Sequence, residues 1–310
     1  MRRRAAIAAV AASFVPLVGL SAQGGGTPPV AVLELPASTR ALALGNSFVA
    51  AGTDEAAIFY NPAQLAVIPH TSAGLSVQQW FLSSTVGALA AATPLAGGTV
   101  AVGLQVIDWG SSERAFGDPS TQGDDGTGAT VSAGDYAASV AYAHALGGLR
   151  LGATAKYVNQ RLVNESGGTG AVDFGAAFDL LGVTFAAALQ NVGGSISLAG
   201  NQTPLPRTVH VGAAVPVHNV GPVDLLATVE VAHVRGGDTQ PAGGLEVSYQ
   251  ATSTISFVGR VGGLARPVGA AISPVSFGGG LRAHHLAIDY AYEGSAVLGA
   301  THRIGVRWWK

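Results

Sequence analysis

The chain contains no cysteine and a single methionine, and charged residues make up only 11% of its 310 positions. Without cysteine there is no disulfide framework and no thiolate metal centre. An ordinary soluble domain is roughly one quarter charged, so this surface is not built for water all round. Aromatic residues are also sparse, at 7%, although 48% of the chain is hydrophobic and the mean hydropathy is +0.37. The apolar character therefore comes from Ala, Val and Leu, diluted by 44 glycines, about twice the usual share. Disorder is excluded, because disordered chains are polar and charged. Long hydrophobic runs are missing too. After residue 22 the best stretch, "LSSTVGALAAATPLAGGTVAVGL" from Leu82, is broken by Pro94 and by Gly97-Gly98, so no helix of membrane-spanning length is expected.

The one exception lies at the start. "MRRR" is cationic, "AAIAAVAASFVPLVGL" is apolar, and "LSA" ends in a small residue before Gln23. That order predicts a secretory signal peptide over residues 1–22, cleaved after Ala22. Cleavage removes three arginines and no acids, moving the net charge from −2 to −5. An exported, mildly acidic chain is a poor nucleic-acid binder, and no such partner is expected.

What recurs instead is alternation with a period of two, over segments of about ten residues bounded by Gly, Pro, Asn or Asp. In "GLRLGATAKYVNQ", Leu149, Leu151, Ala153, Ala155 and Tyr157 share one face, and Arg150, Thr154 and Lys156 share the other. In "HLAIDYAYE", Leu286, Ile288, Tyr290 and Tyr292 oppose His285, Asp289 and Glu293. About fourteen such segments can be counted, centred near residues 76, 88, 102, 140, 154, 175, 187, 212, 228, 246, 257, 278, 289 and 304.

The charges decide between a soluble sandwich and a membrane barrel. Arg150, Lys156, Asp173, Asp179, Asp224, Glu230, Glu246, Arg260, Arg282, Asp289, Glu293, Arg303 and Arg307 all have the parity opposite to the apolar face of their segment. The rest of that polar face is mostly Gly, Ala, Ser and Thr. An apolar exterior with a sparsely charged interior is the pattern of a transmembrane antiparallel β-barrel of about fourteen strands. Closure pairs every backbone group without leaving an edge in lipid.

Connection lengths agree. With both termini on one side, the connections after odd-numbered strands should be the longer ones. "DWGSSERAFGDPSTQGDDGTGATVSAG", "VNESGGTG" and "NVGGSISLAGNQTPLP" follow the third, fifth and seventh segments, whereas "ALGG", "DLLG" and Ala283-His284 are tight. Asp289 and Arg303 share the inward parity across the last hairpin and are expected to pair there.

Ahead of the first strand, "RALALGNSFVAAGTDEAAIFYNPAQLA" from Arg40 resembles the N-terminal signature of the PorV/PorQ family, within the FadL-like group of outer-membrane proteins. The matching features are the Arg-Ala-Leu opening, a Leu-Gly step, Phe48, Asp54-Glu55 and Asn61-Pro62-Ala63. "LQNVGG", "PLPRTVHVG", "GGLEVSY" and the end "AIDYAYEGSAVLGATHRIGVRWW" resemble later family blocks in the same order. The resemblance implies a fourteen-stranded barrel, residues 70–310, with an N-terminal hatch or plug, residues 23–69, in its lumen. It also implies an outer membrane of the Gram-negative type, with lipids around the barrel and assembly machinery reading the C-terminal strand. Two roles follow from it. One is passage or capture of small hydrophobic molecules; the other is docking within a type IX secretion system. A purely structural barrel is a third reading. Two departures stand out: Gln64 occupies a position where glycine is common, and the chain ends Trp308-Trp309-Lys310 rather than on an aromatic residue.

In the hatch, Asn61 can bond its own backbone while Pro62 fixes a turn and removes one donor. "TDEAAIFY" reads as a short helix capped by Thr53 with Asp54-Glu55 in its first turn. Catalytic chemistry is not expected. No G-x-S-x-G elbow occurs, and the glycines of "SFGGGL" fall in a strand, where they cannot cradle a phosphate ahead of a helix. His284-His285 invites a metal reading, but adjacent strand residues point to opposite faces, and a turn beside Arg282 is the plainer account. "GDPSTQGDDGTG" lacks calcium-loop spacing. No cofactor or metal is called for.

Overall fold

A computed structural model describes residues 30–81, 84–113, 130–198, 200–266, 270–295 and 299–310. The predicted signal peptide and the "GDPSTQGDDGTG" stretch fall outside the described residues. The wall begins with β1 (Ser72–Gln79), β2 (Thr85–Leu95), β3 (Gly98–Glu113) and β4 (Thr130–Leu146), followed by β5 (Leu149–Leu162), β6 (Glu165–Leu180) and β7 (Val183–Gly193). A separate hairpin, β8 (Ser195–Leu198) and β9 (Asn201–Pro204), interrupts the series. The wall resumes with β10 (Thr208–Val220), β11 (Val223–Val234), β12 (Thr239–Gln250) and β13 (Ile255–Leu264). It ends with β14 (Ile272–Ala283), β15 (Leu286–Ser295) and β16 (Gly299–Trp309), and β16 pairs antiparallel with β1. The result is a closed antiparallel barrel of fourteen strands. Each predicted segment centre falls inside one of them.

Alternation sets the two faces. Val140, Val229, Phe257 and Ile304 are each more than half exposed on the outside, as lipid-facing side chains of an isolated barrel must be. Leu151, Tyr157, Ile288 and Tyr290 lie on the same outer face, between 40% and 49% exposed. The inward neighbours Lys156, Glu230, Arg260 and Asp289 are all buried.

One end of the barrel is closed by tight turns. Ala96-Gly97 and Leu181-Gly182 place both residues at positive φ (54° and 77°, 53° and 81°), the geometry of a two-residue hairpin turn that matches strand twist. The opposite end is more elaborate, with two corrections. "VNESGGTG" is not a loop: Leu162 pairs with Glu165, so only Val163-Asn164 turn, and the glycines continue β6. "NVGGSISLAGNQTPLP" folds into the β8–β9 hairpin, which buries Ile196 completely against the wall.

Candidate functional site

Residues 30–71 precede β1 and run through the lumen as short helical turns rather than strands. They comprise 3-10 turns at Ala31–Leu33, Glu55–Phe59 and Pro62–Val67, and one short α-helix, α1 (Thr39–Ala43). A threaded segment has no ladder partner, so its backbone must find partners on the wall. Ser76 and Ser276 hydroxyls donate to the Ala37 and Leu42 carbonyls, at 2.6 Å each. The Gln105 amide reaches the Val32 carbonyl (3.1 Å), and the Gln190 amide reaches those of Phe59 and Tyr60 (2.9 and 2.7 Å). In the other direction, one Glu230 oxygen accepts from the backbone N–H groups of Phe48 and Val49 (2.7 and 2.8 Å), and its second oxygen meets His210 Nδ1 (2.7 Å).

The lumen has two unlike sides. Along β2, β3 and β4 the inward residues Ala88, Ala90, Ala92, Ala101, Ala141 and Ala143 form a small apolar wall that packs against Ile58, Phe59 and Leu65. Across the lumen, β12 to β16 carry the charges. Arg40 of α1 places Nε 2.7 Å from Glu246 Oε2, and Arg260 places its Nε at the same distance from that oxygen. Arg260 also reaches Asp289 (2.6 Å), Arg282 reaches Glu246 (3.3 Å), and Arg307 and Arg40 share Asp54 (2.8 and 3.4 Å). Burial opposes the charge on Arg40, but Glu246 and Asp54 outweigh it and hold the guanidinium above its ordinary range. Glu55 differs. Burial, then the neighbouring Asp54, push its carboxyl up to about 7.

The Asn61-Pro62-Ala63 turn is seated by glycine. Gly152 of β5 and Gly175 of β6 are register partners, and both face this turn so closely that neither could carry a Cβ without a shift. Asn61 accepts from Ala63 N (3.0 Å) and donates to the Val49 carbonyl (3.0 Å) and to Ala176 of the wall (3.4 Å). Pro62 thus opens a 3-10 turn at a position where its missing N–H costs nothing. Gln64 fits without glycine because its amide donates to the Ala50 carbonyl (2.7 Å).

Two local expectations are corrected. Asp54, not Thr53, stands at the start of the Glu55–Phe59 turn; it makes no capping bond there because its carboxylate is drawn to Arg40 and Arg307. The Thr53 hydroxyl instead accepts from Arg40 (3.3 Å). Asp289 and Arg303 do not pair: the register sets Asp289 opposite Gly305 and Arg303 opposite Ala291. Asp289 turns to Arg260, and Arg303 donates to Gln78 (2.9 Å).

The remaining inward charges hold the wall itself. Lys156 meets Asp173 at 2.7 Å and Asn191 at 3.0 Å, where β7 bulges with Asn191 at φ 58°. Arg150 grips Asp179 through two bonds (2.7 and 2.9 Å), and Glu293 takes Arg266 (2.7 Å). Sequence reasoning missed Gln105, Gln190, Ser76 and Ser276 as holders of the threaded segment. Their inward parity was the available signal.

No protein-family model and no curated protein matches the chain. Solved structures do match. The Pseudomonas putida toluene transporter TodX is 12% identical with a TM-score of 0.57, over 88% of this chain and 96% of that one. The CymD monoaromatic hydrocarbon channel is 10% identical with a TM-score of 0.60, over 87% and 96%. A Pseudomonas aeruginosa FadL homologue is 13% identical with a TM-score of 0.52, over 88% and 98%. The fold is that of the FadL-like barrels. At these identities the likeness is one of architecture.

Proposed function

We propose that this chain is an outer-membrane barrel of the FadL-like kind that passes or captures small hydrophobic molecules, with residues 23–69 as a plug in its lumen. The observation that carries the reading is the two-sided lumen. An apolar small-residue wall on β2 to β4 faces apolar side chains of the threaded segment, while the opposite side anchors that segment through buried ion pairs. Apolar cargo has a compatible surface on one side only. The shared architecture with structures named as toluene and monoaromatic hydrocarbon channels supports the same reading.

The finer assignment, to the PorV/PorQ type, rests on the sequence blocks around Asn61-Pro62-Ala63 and at the C-terminus. Those blocks also favour a second reading, a docking role in type IX secretion. Lipid contacts around the barrel, recognition of the C-terminal strand by assembly machinery, and export by a cleaved leader belong to the same proposal. No catalysis is part of it.

The test is deletion of residues 23–69, with conductance measured in planar bilayers and toluene entry measured in cells expressing each form. The full mature chain should conduct poorly yet admit toluene, and the deletion should conduct clearly more. A folded deletion that conducts no more than the intact chain removes the plug from the proposal. Intact protein that leaves toluene entry unchanged, but co-purifies with type IX components, favours the docking role.

A further inference from the structure

At one point in the wall two consecutive residues face the lumen together. Val172 pairs with Val192 and Phe174 with Leu189, so Gln190 and Asn191 of β7 both stand opposite Asp173 of β6. Two residues against one make a β-bulge, which re-aims a side chain that regular alternation would send outward. Asn191 takes φ 58° there and is buried beside Gln190. The bulge lies where β7 leaves the ladder for the β8–β9 hairpin.

The re-aimed amide meets two other buried groups. Lys156 of β5 places Nζ 3.0 Å from Asn191 Oδ1 and 2.7 Å from Asp173 Oδ2. Asp173 Oδ1 accepts from the Asn191 backbone N–H (2.8 Å), and Asn191 Nδ2 donates to the Pro206 carbonyl (3.0 Å). The amide is thus held with its oxygen toward the lysine and its nitrogen tied elsewhere. A C=O bond is about 1.2 Å long, so Nζ lies within about 4.2 Å of the amide carbon. Asp173, Asn191 and Lys156 are 0%, 2% and 7% exposed. Ala171, the register partner of Lys156, and Val158, the next inward residue of β5, belong to a buried apolar cluster with Ile196 and Leu205.

A lysine, an asparagine and a carboxylic acid packed together away from water are the three groups needed to make an amide between two side chains. We propose that Lys156 and Asn191 join in an isopeptide bond, with Asp173 carrying the protons. The ion pair forms as the barrel folds, and the bond follows it. A proton first passes from Lys156 Nζ to Asp173 Oδ2; away from water, paired charges gain little over the neutral amine and acid. The freed Nζ lone pair attacks Asn191 Cγ, and the Asp173 carboxyl donates to the oxygen that becomes negative. The Nζ–Cγ bond forms, the Cγ–Nδ2 bond breaks, and Nδ2 leaves as ammonia. Of the two protons that Nζ sheds, one departs on ammonia and one stays on Asp173, which ends neutral. Nothing is oxidised or reduced, and no co-reactant is needed.

The bond staples β5 to β7 across β6, at the place where the bulge interrupts the ladder. In a chain without cysteine no disulfide can do this. The staple is independent of what crosses or docks on the barrel.

Mass spectrometry of the full mature chain, purified from membranes, denatured and digested with trypsin, tests it. The unlinked chain is cut after Arg150, Lys156, Arg161 and Arg207. The expected product is residues 151–161 joined to residues 162–207, one ammonia lighter than their sum, with Lys156 uncut. Asp173→Asn keeps both partners and the shape of the third group; a barrel of that variant that folds, as judged by heat-modifiable migration, should give at least tenfold less of the joined peptide. Asn191→Ala should give none. Recovery of residues 151–156 and 162–207 only as separate peptides from the wild-type chain overturns the bond, and that digest decides even if neither variant folds. An undiminished yield in folded Asp173→Asn overturns the part given to Asp173.

Discussion

Gly152→Ala is the sharpest perturbation of the threaded segment, because it alters the wall and leaves the segment's own sequence intact. A Cβ at Gly152 would lie 2.6 Å from both the Ala63 nitrogen and the Pro62 oxygen, and real Cβ atoms essentially never come closer than 3.0 Å to such atoms. Both neighbours are backbone, so no side chain can rotate away; the Asn61-Pro62-Ala63 turn must move. Overpacking of this kind costs about 1–3 kcal/mol. A displaced turn also loosens the Asn61 bonds to Val49 and Ala176, each worth about 0.5–1.5 kcal/mol net. The seated state should thus lose about 2–4 kcal/mol. At a tenfold change for every 1.4 kcal/mol, its population ratio falls by roughly 30-fold to several hundred-fold. Single-channel recording should show more frequent or larger open events in Gly152→Ala, with heat-modifiable migration unchanged because the ladder is untouched. Gly259→Ala is the control, since nothing lies within 4 Å of a Cβ at that outward position. If Gly152→Ala and Gly259→Ala give the same recordings, the close seat does not hold the segment and the reasoning fails.

Other outcomes can be checked with the same preparations. Leu151→Arg and Ile288→Arg put a charge on the outer face and should each cost roughly 2–4 kcal/mol near the bilayer midplane, read by refolding into vesicles. Lys156→Ala should be no milder, contrary to the usual tolerance of lumen positions. It strands the fully buried Asp173, a change that costs about 3–5 kcal/mol, and adding Asp173→Asn should recover much of the loss. Glu55 gives the pH dependence. Its carboxyl is raised from 4.5 to about 7 by burial and by Asp54, so its contribution to seating is fully present below pH 4.5 and is lost as pH rises through 7. Conductance should therefore climb between pH 6 and pH 8 in the intact chain and stay flat in Glu55→Gln; a climb of the same size in both would clear Glu55 of the effect.

The two faces of the wall strands could be read from the amino-acid order, because side chains alternate with a period of two and a misplaced charge in lipid is too costly to persist, whereas the β8–β9 hairpin was read as a connection. Strand positions followed from the same period and from the glycine-rich turns. Lys156, Glu230, Arg260 and Asp289 were therefore legible as inward residues before any partner was known. Partners were another matter. Asp289 and Arg303 look like neighbours along the chain, yet the register offsets them, and Asp289 joins Arg260 two strands away. Such pairing depends on how each strand slides and tilts against the next, which no local pattern encodes. The glycine seats were equally hidden. Gly152 and Gly175 read as ordinary small strand residues, and their need for a hydrogen side chain arises only because Asn61-Pro62-Ala63, about a hundred residues earlier, comes to rest on them. Hydrophobic patterning is a property of each segment and survives in the sequence alone. Close approach and charge balance are properties of segments brought together, so they exist only once the barrel has closed around its threaded N-terminal segment.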